Sequence, residues 1–174
     1  MSDSATRLAP LVAAPDLAEW ASAHRARGHR IVLTNGVYDL LHPGHVESIL
    51  AAARLGDVLL VAVNSDRSVR ELKGPTRPLL DEVERSSLVR GLRGVDAVTI
   101  FDDRSILPTI SIVRPDVVAK GGQYSETEIV GHAEVTSWGG RVVRLPMVEG
   151  VSTTELLARI RRAASDPSGG KEDR

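Results

Sequence analysis

Five short apolar runs recur along this chain: "RIVL" from Arg30, "DVLLVAV" from Asp57, "AVTIF" from Ala97, "DVVAK" from Asp116 and "RVVRL" from Arg141. Each is nearly continuous in Val, Ile, Leu or Ala instead of alternating with polar residues, the pattern of strands covered on both faces. Between them lie stretches with helical spacing. "GHVESILAAARLG" sets Val46, Ile49, Leu50 and Ala53 on one side, and "DEVERSSLVRGLRG" is expected to turn Val83, Leu88 and Leu92 inward. "RSILPTISIVR" and "ETEIVGHAEVTSW" supply two more helices, the latter read as a single one. A helix between two buried strands carries the chain back to the end of the sheet where the previous strand began, so the strands are expected to run parallel. The expected architecture is α/β: a Rossmann-like, doubly wound, five-stranded parallel sheet in a single domain.

The flanks add one helix each. "PDLAEWASAHRARG" spaces Leu17, Trp20, Ala21 and His24 at helical intervals and stops at Gly28, predicting a helix over about 15–27. "STTELLARIRRAA" predicts the last helix. Residues 1–14 are expected to be mobile, residues 15–164 to form the domain, and "SDPSGGKEDR", 165–174, to be a disordered tail. The chain has no cysteine, which excludes a thiolate metal site and suits a reducing compartment. No apolar run reaches bilayer-spanning length, and the N-terminus lacks the core of a signal peptide, so the cytoplasm is the expected location. A formal charge of −1 with 3% aromatics offers neither long-range attraction for polynucleotides nor surfaces to stack their bases. The expected partners are therefore small molecules, with no nucleic acid and no membrane; a homo-oligomer is compatible with everything above.

In an open parallel sheet, ligands bind beyond the carboxyl ends of the strands. The loops to inspect are Thr34–His45, Asn64–Pro78, Lys120–Tyr124 and Pro146–Thr154. No glycine pair has the G-x-G spacing of a dinucleotide fingerprint, and there is no G-x-x-x-x-G-K-[ST] phosphate loop. Hydride-transfer and kinase-type chemistry lose their usual support. In their place stands "HPGH", His42 to His45, at a helix start, where unpaired N–H groups already favour an anion. His42 and His45, three apart, can face the same side, and Gly44 leaves room beside the backbone. "VEGVSTTELL" puts Ser152, Thr153 and Thr154 at a second helix start, with Ser152 and Glu155 spaced as a capping box. Only three of the 22 cations are lysine, and two of those, Lys73 and Lys120, immediately precede glycine. A compact ammonium beside a flexible residue suits phosphate clamping.

Together "TNGVYDLLHPGH" and the later "STT" resemble the HxGH nucleotidyltransferases of the cytidylyltransferase type, over residues about 30–160. "NSDRSVRELKGPTRP", "VRPDVVAKGGQY" and "RVVRLPMVEGVSTTELL" narrow the resemblance to the branch that adenylylates D-glycero-D-manno-heptose 1-phosphate, as a free-standing nucleotidyltransferase domain. The resemblance implies transfer of AMP from ATP to a sugar 1-phosphate, giving ADP-heptose and pyrophosphate, with Mg2+ bridging the phosphates. It implies catalytic roles for His42, His45, Lys73 and Lys120. It assigns Thr34, Asn35, Gly36, Tyr38, Gly44, Asn64, Ser152, Thr153 and Thr154 to the nucleotide. Asp39, Asp66, Arg77, Gln123 and Tyr124 go to the acceptor, Asp39 also ordering the histidine loop, and no residue is fixed as a metal ligand. Val37-Tyr38 stands where the family usually reads Cys-Phe, Gln123 where an aspartate follows "KGG", and "DDRSIL" where an acidic-Thr-Pro run is usual. The nucleotide side thus matches better than the sugar side. Another acceptor of the same fold (glycerol 3-phosphate, phosphopantetheine or a different sugar phosphate), CTP or GTP as donor, and a non-catalytic nucleotide-binding module remain the alternatives.

Overall fold

Strands β1 (Ile31–Gly36), β2 (Val58–Asn64), β3 (Ala97–Phe101), β4 (Val117–Gly121) and β5 (Arg141–Leu145) form one parallel sheet in the order β3-β2-β1-β4-β5. This computed structural model describes residues 8–122, 125–146 and 150–165. The order reverses between β1 and β4, the place where a doubly wound sheet opens its crevice.

Both faces are covered because successive side chains of each strand point to opposite sides. Ile31 and Leu33 join a core closed by Leu17 and Ala21 of α1 (Leu17–Ala26), Ile110 and Val113 of α5 (Leu107–Val113) and Val135 of α6 (His132–Ser137). Val32 joins the other core, closed by Ile49 and Ala52 of α2 (Pro43–Ala53) and by Val89 of α4 (Glu82–Arg90). At the entering end of the sheet, aspartates bond the first amides of neighbouring strands. Asp57 Oδ2 accepts from Arg30 N at 2.7 Å, Asp116 Oδ2 from Ile31 N at 2.7 Å and Asp96 Oδ2 from Leu59 N at 2.8 Å. That end is closed by carboxylates, and the opposite end is left for a ligand.

The structure departs from the sequence expectations in four places. In α4 the inward residues are Arg85, Ser86 and Val89, whereas Val83 and Leu88 are exposed, at 65% and 46%. The helix is oriented by polar groups instead: a capping box between Asp81 and Glu84, and the buried Arg85. Residues 126–137 are not one helix, because a 3-10 turn (Glu126–Glu128) is separated from α6 by Gly131 at φ 90°. A Cβ on Gly131 would come within 2.5 Å of Ile110 Cδ1, so the break is also a close approach. The segment after β2 forms α3 (Asp66–Lys73), capped by Ser65 Oγ accepting from Ser68 N. Its buried residues are Ser68 and Val69, too few to leave an apolar period in the sequence. Finally, the expected mobile start at 1–14 is corrected over its described part. Ala9 N donates to Arg90 O, Val12 N to Val98 O and Val98 N to Pro10 O, which lays residues 9–12 along β3. Residues 1–7 and all but the first residue of the expected tail, 166–174, lie outside the described residues. The last helix, α7 (Thr153–Ser165), buries none of its residues.

Arg85 is the bulkiest of the fully buried side chains. Its Nε donates to Leu80 O at 3.0 Å, Nη1 to Val37 O at 2.6 Å and Nη2 to Asp66 Oδ1 at 2.7 Å. Arg85→Ala is expected to cost about 3 kcal/mol, because it leaves a cavity and two carbonyls without their donor. Urea unfolding checks this; a loss under about 1 kcal/mol would show that the three bonds are dispensable.

Candidate active site

The site is built where β1 runs into α2. After Gly36 the chain turns through Tyr38 at φ 53°, a left-handed conformation that drives the Tyr38 ring back into the core. Burial raises the phenol well above its ordinary range, and the neighbouring Thr34 side chain offsets only part of that. A Cβ on Gly36 would stand 3.0 Å from the Tyr38 ring, which explains glycine there. The edge of Tyr38 meets His45 at 5.2 Å between centroids, and His45 stacks on His42 at 3.8 Å and 22°. His42 occupies the N-cap position of α2 without bonding it through its side chain, and Pro43 opens the helix. A Cβ on Gly44 would lie 3.1 Å from His42 Nδ1 and 3.7 Å from Val151 O. Glycine here lets the imidazole and the loop before α7 close together.

The Nδ1 atoms of both histidines are buried and have no hydrogen-bond partner among the described residues. Burial, followed by the neighbouring His42, brings the His45 imidazole down to about 4, and burial lowers His42 as well. At neutral pH the pair is therefore uncharged, and each ring carries one N–H donor. Across from them, Ser152 Oγ accepts from Glu155 N at 3.1 Å, which is the side-chain half of the expected capping box, and the Ser152 hydroxyl donates to Glu155 Oε2 at 3.2 Å. A cavity of about 310 Å³ lies between the N-termini of α2 and α7, lined by His42, Gly44, His45, Ser48, Ser152 and Thr153 among others. Two helix starts facing one space favour an anion there.

Two further cavities adjoin it. One, of about 400 Å³, shares His45 and Thr153 with the first and adds Tyr38, Asp39, Lys73, Arg77 and Thr154. The other, of about 500 Å³, is lined by Asn35, Gly36, Asn64, Lys73 and Lys120, with Phe101, Ile106 and Ile129 as apolar wall. Lys120 Nζ donates to Asn35 O at 3.0 Å and to Asn35 Oδ1 at 2.9 Å, joining β4 to β1 at the reversal of strand order. Burial, with Lys73 nearby, brings the Lys120 ammonium down to about 8. Asn64 is buried and donates through Nδ2 to Ser68 Oγ at 3.0 Å.

The structure thus gathers His42, His45, Gly44, Ser152, Thr153 and Thr154 on one side of the crevice, and Asn35, Gly36, Asn64 and Lys120 on the other, with Lys73 between. Lys73 ends α3 instead of sitting within a loop. Thr34 is buried beneath Tyr38. Asp66 is not in the crevice: its carboxylate holds Arg85, and the residue lines an outer groove with Arg67 and Glu82. Gln123 and Tyr124 lie outside the described residues. Asp39, 1% exposed, accepts through Oδ1 from Leu79 N at 2.7 Å and Leu80 N at 3.1 Å, and Arg77 Nε lies 2.7 Å from its Oδ2. It orders the chain around the histidine loop, and its carboxylate is occupied. Among the described residues no group of three or more His, Cys, Asp or Glu could hold a metal ion. Sequence reasoning missed Ser48, one turn beyond His45 on the same helical face, and Arg104, Ser105 and Glu128, which line the cavity that holds Lys120. The spacing His45-x-x-Ser48 was the available signal for the first.

The chain belongs to the cytidylyltransferase-like family, whose pattern matches residues 33–159. It is 49% identical over 151 residues to the bifunctional protein HldE of Koribacter versatilis, covering 87% of this chain and 31% of that protein. Over 144 residues it is 49% identical to the bifunctional protein HldE of Gluconobacter oxydans, covering 83% and 30%. The chain spans about a third of the length of the curated relatives it matches. Among solved structures, a lipopolysaccharide core biosynthesis protein from Thermoplasma volcanium matches with a TM-score of 0.60 and 28% identity, over 70% of this chain and 100% of that one. No helix among the described residues is long and apolar enough to cross a membrane.

Because the unfolded chain protonates His45 near the ordinary imidazole value of 6.5 while the folded chain resists down to about 4, the unfolded state holds the extra proton between those values. His45 therefore contributes stability that is lost as pH falls through this window. A titration of the imidazole nitrogens by NMR is expected to find His45 neutral at about pH 6. A midpoint at the ordinary value would show a hydrated ring.

Proposed function

We propose that this chain transfers a nucleotidyl group from a nucleoside triphosphate, ATP in the first instance, to a sugar 1-phosphate, with pyrophosphate as the second product. D-glycero-D-manno-heptose 1-phosphate is the acceptor that the sequence resemblance favours. A sugar acceptor also accords with the structural neighbour named for lipopolysaccharide core biosynthesis. The observation that carries the reading is the pairing of two anion-favouring places at the reversal of strand order. The stacked histidines between the α2 and α7 N-termini form one, and Lys73 with Lys120 forms the other.

The chemistry asks little of the protein beyond placement and charge compensation. The acceptor phosphate is already mostly ionised near neutrality, its second pKa being about 6, so no general base is needed. An acceptor oxygen bonds to the α-phosphorus as the bond to the bridging oxygen breaks, and the released electron pair leaves with pyrophosphate. His42 and His45, neutral and fixed by stacking, donate N–H bonds to the α- and β-phosphate oxygens as negative charge grows there. Ser152 and Thr153 hold the triphosphate at the start of α7, and Lys120, braced on Asn35, faces the acceptor phosphate. Mg2+ enters as part of the nucleotide substrate: Asp39, the carboxylate next to the histidines, is paired with Arg77 and two backbone amides, and the donor set among the described residues does not fit a resident ion. The cytoplasm, where ATP is at hand, is the compartment this reading implies.

An acceptor-by-nucleotide matrix read for pyrophosphate and for sugar nucleotide by mass spectrometry is expected to give the largest kcat/KM with ATP and a heptose 1-phosphate. Nucleotide binding without pyrophosphate from any acceptor would instead identify a non-catalytic module. His42→Ala and His45→Ala are each expected to lower kcat about 100-fold, a loss of roughly 3 kcal/mol of transition-state stabilisation, with Tm within a few degrees of the parent. Unchanged turnover in folded variants would remove the histidines from the reaction.

A further inference from the structure

Arg77 lines the middle cavity with His45, Lys73, Thr153 and Thr154, and it is absent from the lining of the cavity that holds Lys120. Its side chain is 19% exposed, and its Nε stands 2.7 Å from Asp39 Oδ2 in a carboxylate that is itself 1% exposed. The two charges are paired at short distance without the alignment of a hydrogen bond, so Asp39 holds the guanidinium in place beside this cavity and does not itself use up the two terminal nitrogens. Asp39 cannot swing away, since its other oxygen holds the amides of Leu79 and Leu80. The middle cavity continues the cleft between α2 and α7, with which it shares His45 and Thr153. Its charged lining is Lys73, Arg77 and the already engaged Asp39.

We propose that Arg77, retained at this cavity by its ion pair with Asp39, grips the terminal phosphates of the nucleotide and then the departing pyrophosphate, and does not bind the acceptor. This rests on the nucleotidyl-transfer reading above. When the bond between the α-phosphorus and the bridging oxygen breaks, that oxygen becomes a terminal oxygen of pyrophosphate and carries one more negative charge. A guanidinium fork is suited to meet two phosphate oxygens at once, where an ammonium is a point charge. Asp39 is then a positioning residue, and both Asp39 and Arg77 leave the acceptor group to which the sequence assigned them.

Isothermal titration of the full chain with ATP, AMP and inorganic pyrophosphate at constant ionic strength tests this, using the parent, Arg77→Ala, Arg77→Lys and Asp39→Asn. Arg77→Ala is expected to weaken ATP and pyrophosphate at least tenfold while AMP stays within twofold and the KM for the sugar phosphate changes little. Arg77→Lys should recover part of the loss, and Asp39→Asn should show the same ATP-over-AMP selectivity of effect with Arg77 still present. A parent that binds pyrophosphate, with an Arg77→Ala variant that binds it equally well but shows a tenfold higher acceptor KM, would overturn the assignment and leave nucleotidyl transfer standing. Equal weakening of ATP and AMP would also overturn it, as general damage to the site. A parent that binds neither ATP nor pyrophosphate would remove both readings. If circular dichroism shows Arg77→Ala unfolded, the lysine and Asp39→Asn variants carry the same comparison.

Discussion

The crevice edge of this molecule is organised by a charge taken out of water. Arg85 reaches from α4 to the carbonyl of Val37, the carbonyl of Leu80 and the carboxylate of Asp66, three segments otherwise separated by loops. A buried guanidinium with unmet donors would be very costly, so the only arrangement that tolerates it is one in which all three segments are in place. Asp39 performs the complementary task with an anion, collecting Arg77, Leu79 and Leu80. Between them the two ions lash the 77–85 segment to the start of the histidine loop. The histidines and Tyr38 can then stack on a support that does not move.

The parallel sheet was legible because both-sided burial writes itself into the sequence as uninterrupted Val, Ile and Leu. Helices whose orientation comes from polar contacts were less so. In α4 the apolar residues Val83 and Leu88 point outward and a cation points inward, which inverts the pattern that periodicity relies on. α3 escaped notice for a related reason: it is short and polar, and a serine cap starts it where no apolar stripe announces it. The break at Gly131 depended on the position of Ile110, twenty-one residues earlier, and no local signal encodes a contact of that range.

Much of the candidate site was readable for the opposite reason. "HPGH" and "STT" are local devices, each using a helix start whose free amides are a property of any helix. What the sequence could not supply was the division of the crevice. Asp39, Asp66 and Arg77 all looked like acceptor ligands, yet Asp66 faces outward to Arg85, Asp39 is an internal brace and Arg77 stands on the histidine side. Residues close in sequence to a motif are not thereby on the same wall of the pocket. The electrostatics were equally hidden: counting histidines and lysines suggests a strongly positive empty site, but burial keeps His42 and His45 neutral and weakens the hold of Lys120 on its proton.

α7 buries none of its residues, and yet its first turn supplies Ser152 and Thr153 to the crevice. A helix attached this lightly belongs to the low end of the range of local opening energies, well below the sheet that carries the histidines. Its amides would exchange with deuterated solvent long before those of β1 and β2. Half of the wall around the cavity between α2 and α7 can therefore come and go while the other half stays in place. On the proposed reading, the time a triphosphate remains bound would depend on how often this surface helix lifts, and would be tuned by substitutions on the outer face of α7 that touch neither ligand nor core.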